Sequence, residues 1–105
     1  MEDNKIVSGT DVTLNFNLFN NIEEPINNLA EYEVIFKLTS FGEDNALITK
    51  TNCTINNNVL VVKFVPDDTK NLFGSYEFQV TLIDKVSGEI NKSNRYMLII
   101  EQNII

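Results

Sequence analysis

The sequence contains no histidine and no tryptophan, and it has one cysteine, two prolines and four glycines among 105 residues. Histidine is the commonest general base and a common metal ligand, so its absence removes both from the chain. Hydrolases built on Ser-His-Asp or Cys-His arrangements are therefore excluded. Absence of tryptophan also weakens the case for a sugar-binding site built on that ring.

Cys53 is the single cysteine, so no disulfide can form within the chain. Lys50 is the one basic residue near it in sequence, which favours an inert thiol over a nucleophile. The opening residues, Met1-Glu2-Asp3-Asn4, are acidic where a signal peptide carries basic residues. We therefore expect the chain to be made and folded inside a cell.

Basic residues are also scarce, since 8 lysines and arginines face 15 acidic residues and the net charge is −7. Such a charge repels phosphate backbones and anionic headgroups, so we expect neither a nucleic-acid nor a membrane partner. No apolar run approaches the roughly 20 residues that span a bilayer.

Acidic residues occur in pairs at Glu23-Glu24, Glu43-Asp44 and Asp67-Asp68. Such pairs can hold calcium or serve a glycosidase, but none has the spacing of an EF-hand loop. Carboxylates grouped in turns more often act as solvated caps. We therefore predict no metal, no cofactor and no catalytic residue, and we expect a protein that is not an enzyme.

Alternating apolar and polar residues predict six or seven short strands at about ten-residue spacing, which is typical of an all-β sandwich. We predict strands near residues 12–18, 31–40, 46–51, 59–65, 76–82 and 95–101, with Ile22 and Ile26 as candidates for a short edge strand. One short helical turn is predicted near residues 67–72, because acids stand at its start, where the backbone dipole favours them. The domains are then an N-terminal arm at 1–10, a sandwich at 11–101 and an apolar tail at 102–105.

The clearest strand follows a polar turn and alternates strictly from Tyr76 to Leu82. Its alternation directs one set of side chains inward, Tyr76, Phe78, Val80 and Leu82, and another outward, Glu77, Gln79 and Thr81. Gly74 and Tyr76 stand where immunoglobulin-like sandwiches carry the tyrosine corner, whose hydroxyl bonds to the backbone just upstream. Phe78 then occupies the place of a cysteine in antibody-type domains, so it is predicted to be a central core residue.

Residues 67–88 combine a turn, the pattern Leu-x-Gly-x-Tyr-x-Phe-x-Val-x-Leu-x-Asp ending at Asp84, and Ser87-Gly88. This segment resembles the immunoglobulin-like domains of tailed-bacteriophage virion proteins, notably the N-terminal domains of baseplate upper proteins and small capsid-decorating domains. The resemblance implies a non-enzymatic virion protein assembled in the host cytoplasm. Baseplate proteins continue into a long second region where this chain stops at Ile105, which favours an auxiliary protein bound to the capsid.

On that resemblance the expected partners are the phage capsid or other virion subunits, with no small-molecule substrate. The candidate interface residues are apolar and lie in the arm, the loop and the tail: Ile6, Val7, Ile22, Ile26, Ile104 and Ile105. The two C-terminal isoleucines equally suit an extension of the last strand.

Two alternatives stay open. The domain can instead be a baseplate or tail-fibre adaptor. It can also be a carbohydrate- or receptor-binding module in which Phe41, Phe73 or Tyr32 stacks on a ligand, although aromatic residues on strands are more often core.

Overall fold

A computed structural model of the protein describes residues 4–19, 22, 24–26, 28–56 and 59–103. Nine strands are present in these residues: β1 (Asn4–Val7), β2 (Val12–Phe16), β3 (Tyr32–Ser40), β4 (Ala46–Lys50), β5 (Thr54–Asn56), β6 (Val59–Phe64), β7 (Gly74–Asp84), β8 (Ile90–Lys92) and β9 (Tyr96–Glu101). A short 3₁₀ turn, Leu29–Glu31, precedes β3, and a single helical turn, α1 (Pro66–Thr69), lies between β6 and β7. The fold is therefore all-β, as the alternation predicted.

The strands form two sheets. The larger sheet has the order β1-β9-β7-β3-β4, with β8 also paired to β7, and the smaller sheet has the order β2-β6-β5. All pairs are antiparallel except β1 with β9, which run parallel. This arrangement matches the two sheets of a variable-type immunoglobulin sandwich, in which one sheet contains strands G, F and C and the other contains E and B.

Aromatic rings from both sheets fill the core. Phe78 of β7 lies 5.0 Å from Phe16 of β2 and 5.2 Å from Phe36 of β3, measured between ring centroids. Phe36 in turn meets Phe64 of β6 edge-on at 5.7 Å. Phe78 is 1% exposed, so the prediction of a central core residue is confirmed. Ring packing thus joins the sheets without an inter-sheet disulfide.

The tyrosine corner is present at the start of β7. The Tyr76 hydroxyl donates a hydrogen bond to the carbonyl oxygen of Phe73 at 3.2 Å. Gly74 has a φ of +116°, a conformation that side-chain-bearing residues rarely adopt. Apart from its neighbours in the chain, no atom lies within 4 Å of the position that a Cβ would occupy at Gly74. Glycine is therefore needed for the backbone conformation and not because another group packs closely against it.

The N-terminal arm predicted at residues 1–10 contains a strand of the larger sheet. In β1, Ile6 lies opposite Ile100 of β9, and its side chain is 4% exposed within the domain's own core. Ile6 is therefore not available to a partner, and its place in the candidate interface was wrong. The short strands β5 and β8 were also not predicted, which raises the count from about seven to nine in the described residues.

The helical turn α1 begins one residue before the predicted start. Both Asp67 and Asp68 lie in its first turn, and the Asp68 carboxylate accepts a hydrogen bond from the Val65 N–H at 2.8 Å. Asp68 therefore acts as a cap, as the sequence indicated, whereas the exposed Asp67 pairs with Lys70 at 3.3 Å. In the loop at 20–28, the predicted edge strand reduces, in the described residues, to a single bridge between Phe19 and Pro25.

Candidate interaction surfaces

The metal-ligating and nucleophilic candidates of the sequence are its acidic side chains and Cys53. No group of three or more acidic or cysteine side chains is placed to hold a metal within the described ranges. Cys53 is half-buried, and burial raises the pKa of its thiol, an effect that the charge of Lys50 only partly opposes. A raised pKa leaves little thiolate at neutral pH, which makes this thiol a poor nucleophile.

The other candidate interface residues have different surroundings. Val7 is 39% exposed and Ile22 is 67% exposed, whereas Ile26 is partly buried against the core. Ile104 and Ile105 lie outside the described residues. Among the described candidates, Val7 and Ile22 are thus open to a partner, whereas Ile26 belongs partly to the core.

An exposed groove, here called the Phe73 groove, lies where β1, α1 and β9 end. It has a volume of about 450 Å³, and its walls are Ser8, Gly9, Lys70, Asn71, Phe73, Gln102 and Asn103. The side chain of Phe73 is 65% exposed there. An aromatic ring left this open at the mouth of a groove is a candidate anchor for a protein partner.

Buried hydrogen bonds hold the walls of the Phe73 groove in place. The Ser8 hydroxyl donates to the Thr69 carbonyl oxygen at 2.6 Å, and the Gly9 N–H donates to the Thr69 Oγ1 at 2.9 Å. Ser8 also donates its N–H to the carbonyl oxygen of Glu101 at 2.9 Å. Thr69 is fully buried, so the segment after β1 is fixed to both α1 and β9.

The outer face of the larger sheet is the second candidate surface. Glu77, Gln79 and Thr81 of β7 lie on this face, opposite the buried set, as the alternation predicted. Cross-strand pairing aligns Ile83 with Ile90 of β8 at one end of the face. Ile90 is 62% exposed, so the face is not uniformly polar.

A polar cleft of about 200 Å³, here called the lysine cleft, lies in this face. Its walls include Lys37 of β3, Lys92 of β8 and Arg95, together with Thr39, Asp44, Gln79 and Thr81. Pairing places Lys37 opposite Gln79 and Lys92 opposite Thr81 on the two sides of β7. Three cations of a strongly acidic chain are thus collected in one cleft.

Arg95 is held by the loop between β3 and β4. Its guanidinium donates to the Asp44 carboxylate at 3.0 Å and to the Glu43 carbonyl oxygen at 2.6 Å, and it also contacts Thr39. Glu77 lies 3.5 Å from the same group. The acidic pair Glu43-Asp44 therefore fixes this loop to the sheet.

Ser93 fixes the segment that carries Lys92 and Arg95. Its hydroxyl accepts a hydrogen bond from the Val80 N–H at 3.0 Å, and its own N–H donates to the Val80 carbonyl oxygen at 2.9 Å. Gln79 donates its side-chain amide to the Ser93 carbonyl oxygen at 2.8 Å. Ser93 is 3% exposed, so these bonds form away from water.

A larger depression of about 880 Å³, here called the amide depression, adjoins the lysine cleft and shares Gln79, Lys92 and Arg95 with it. Its further walls include Tyr32 and three side-chain amides, Asn28, Asn91 and Asn94. Of the three aromatic residues considered for ligand stacking, Tyr32 is the one in this depression.

Sequence reasoning did not single out Lys37, Lys92 or the three asparagines. Alternation in β3 indicates that Lys37 points outward. Which side chains lie beside it depends on the register of β3 with β7, and the sequence alone does not give that register. The β8 strand is exposed throughout, so no apolar periodicity indicated its position or that of Lys92.

In the described part of the chain, no helix has the length and apolar character needed to cross a membrane. No protein-family model matches the sequence, and no curated protein matches it significantly.

Proposed function

We propose that this protein is a non-enzymatic structural protein of a phage virion, an auxiliary protein that decorates the capsid by docking through the Phe73 groove. The resemblance of residues 67–88 to virion immunoglobulin-like domains supports the virion assignment. The observation that carries the docking surface is the exposure of Phe73, 65% of whose side chain lies open in a groove with fixed walls.

The energetic case depends on the Phe73 ring. Fully burying a phenylalanine side chain contributes about 1.5–3 kcal/mol. Since 65% of the ring is exposed, docking can gain about 1–2 kcal/mol, which corresponds to roughly five-fold to thirty-fold in affinity. One aromatic anchor of this kind, repeated over many copies on a capsid, suits a decorating protein.

The rim of the groove provides the polar contacts that an interface needs around its apolar centre. Asn71, Gln102 and Asn103 carry amides that both donate and accept hydrogen bonds, and Lys70 adds a cation. The sequence continues from Asn103 with Ile104 and Ile105, so the two predicted tail anchors follow directly after the groove wall.

The first test is the location of the protein. We expect the protein in purified particles of the phage whose genome encodes it. Its copy number per particle is expected to match the number of equivalent binding sites on the capsid lattice. Its gene is then expected beside the major capsid gene. A copy number of a few per particle would instead indicate the baseplate or tail-fibre role, and absence from the particle would contradict the proposal.

The second test is co-sedimentation with empty capsids of that phage. Phe73→Ser is expected to weaken capsid binding about five-fold or more, in line with loss of the ring area that docking buries. Ile90→Ser is the matched control, because Ile90 is 62% exposed and pairs with Ile83 near the other end of β7. Equal weakening by both substitutions would contradict docking at the Phe73 groove.

Removal of Ile104 and Ile105 tests the tail separately. If both side chains are buried in the capsid, their loss is expected to weaken binding while the melting temperature of the free protein stays constant. A large drop in melting temperature without capsids would assign the two isoleucines to the domain itself.

A further inference from the structure

We propose that the lysine cleft and the amide depression form one binding site for an oligosaccharide that carries a carboxylate. The cleft would take the carboxylate, and the depression would take the adjoining sugar rings. This site extends towards the Asp84 end of β7, whereas the Phe73 groove lies at the Gly74 end. Ligand binding at the site therefore does not depend on capsid docking.

The charge of Lys37 and Lys92 is the first step of the argument. Neither ammonium group has an ion-pair partner in the part of the chain that the structure describes, although acids outnumber bases 15 to 8 in the sequence. Lys37 and Lys92 lie on opposite sides of β7, opposite Gln79 and Thr81, which are two residues apart along that strand. At ordinary strand spacing their Cα atoms are therefore about 12 Å apart. Two long side chains at this separation can reach a single carboxylate between them.

Arg95 neutralises the carboxylates in and beside the cleft, so they do not repel an anionic ligand. The one carboxylate in the cleft wall, that of Asp44, is already bonded to Arg95 at 3.0 Å. Glu77, which is near the same guanidinium, accepts a hydrogen bond from the Gly42 N–H at 2.8 Å. These acids are thus engaged by Arg95 and by a backbone donor, so Lys37 and Lys92 are the cations of the cleft that have no ion-pair partner among the described residues.

The amide depression supplies the groups that bind sugar hydroxyls. Each asparagine side chain offers two donors and an acceptor, a combination that pairs with neighbouring hydroxyls. In the described residues, the side chains of Asn28, Asn91 and Asn94 form no hydrogen bond within the protein. Tyr32 adds an apolar ring face with a polar tip at the same place.

The sizes of the two spaces agree with this division. The lysine cleft, at about 200 Å³, is large enough for a carboxylate and part of a ring. The amide depression, at about 880 Å³, falls within the range of roughly 300–1,000 Å³ that is typical of ligand sites. Because the spaces share Lys92, a bound chain can pass from one to the other.

An acidic peptide would also bring a carboxylate to the two lysines. Binding of such a peptide would not require the amides of Asn28, Asn91 and Asn94 or the ring of Tyr32 beside Lys92. The residues that line the depression therefore favour a saccharide. The experiment below includes this peptide as a contrary outcome.

The test uses the whole protein and a panel of tetrasaccharides built from glucuronate, galacturonate or N-acetylneuraminate. Each is compared with its carboxyl-reduced form, and oligoglutamate is the peptide probe. Binding is followed by titration calorimetry, and the side-chain amide signals of asparagine are followed by NMR. We expect at least one acidic tetrasaccharide to bind, its reduced form to bind at least ten-fold more weakly, and the Asn91 and Asn94 amide signals to shift.

The variants are Lys37→Gln and Lys92→Gln, with Lys63→Gln as the control. Lys63 is an exposed lysine of β6 in the smaller sheet, so it changes the net charge equally without touching the cleft. Each cleft substitution removes one charge-assisted hydrogen bond, and we expect about ten-fold weaker binding for each and no change for Lys63→Gln.

Three results would overturn the proposal. The first is no binding of any acidic tetrasaccharide at millimolar concentration. The second is equal affinity in the cleft variants and the Lys63→Gln control. The third is oligoglutamate binding as tightly as the best saccharide without a shift of the Asn91 and Asn94 signals, which would assign the cleft to an acidic peptide.

Discussion

The hydroxyl of Tyr96 bonds to both polar groups of the Phe19 backbone, 77 residues away. It accepts a hydrogen bond from the Phe19 N–H at 2.9 Å and donates to the Phe19 carbonyl oxygen at 3.4 Å. Tyr96 belongs to β9 of the larger sheet, whereas Phe19 lies just after β2 of the smaller one. A single phenol group therefore joins the two sheets at the point where the chain enters the loop at 20–28.

Tyr96→Phe is expected to lower the free energy of unfolding by about 1–3 kcal/mol, because the partly buried Phe19 N–H loses its acceptor. Urea denaturation measures the change. Tyr76→Phe is the matched control, since its hydroxyl donates one bond of 3.2 Å over three residues. An effect of Tyr96→Phe no larger than that of the control would contradict a special role for the inter-sheet bond.

Phe78→Ala is expected to destabilise the domain by about 3–5 kcal/mol, since it opens a cavity among Phe16, Phe36 and Tyr96. Thermal and chemical melts check the loss. Phe73→Ala, at a ring 65% exposed, is expected to change stability far less. Similar losses at both sites would mean that Phe78 does not hold the centre of the core.

Gly74→Val is expected to cost about 1–3 kcal/mol, because a β-branched residue is strained at a φ of +116°. Space is not the cause, since nothing lies within 4 Å of the added Cβ. Ser75→Val, at the next and exposed position of β7, is expected to be within about 0.5 kcal/mol of the parent. Unchanged stability in Gly74→Val would refute the conformational requirement at the tyrosine corner.

Asp68 links stability to pH. Burial raises the pKa of its carboxyl, but the hydrogen bonds from Lys50 at 2.7 Å and from the Val65 N–H, together with the Lys50 charge, outweigh burial and lower it below the ordinary 3.8. A lowered folded pKa means that the stabilising contribution is present above the unfolded pKa and is lost as pH falls through the folded one.

We therefore expect Asp68→Asn to reduce the free energy of unfolding at pH 7, and the difference from the parent to shrink as the pH falls below about 4. Urea titrations at pH 7, 4 and 3 provide the measurement. Asp67→Asn is the control, because Asp67 is mostly exposed and pairs with Lys70 at 3.3 Å. A difference that stays constant down to pH 3 would contradict the linkage.

The inner and outer faces of the long strands could be predicted from sequence because burial on one face imposes a period of two. That rule placed Phe78 and Tyr76 correctly. It failed for β1, where Ile6 is deeply buried between the exposed Lys5 and Val7, and its partner Ile100 lies 94 residues away in sequence. Local periodicity cannot indicate a partner so distant.

The candidate sites were harder to predict for the same reason. Lys37 and Lys92 lie in strands far apart in sequence, and β7 between them sets their relative position. The Phe73 groove likewise combines the ends of β1, α1 and β9. Phe73 is exposed because the residues after β1, α1 and β9 do not cover its ring. The amino-acid composition gives no information about that arrangement.

The parallel pairing of β1 with β9 has a consequence for the order of events during synthesis. Strand β1 cannot pair until β9 has been synthesised, because Asn4–Val7 has its backbone partners in residues 98–101. Closing so long a loop is slow compared with forming a hairpin. A nascent chain that still lacks β9 therefore leaves Ile6 without its partner and residues 74–78 of β7 unpaired on one side, and the larger sheet is completed only once residues 98–101 are free to pair.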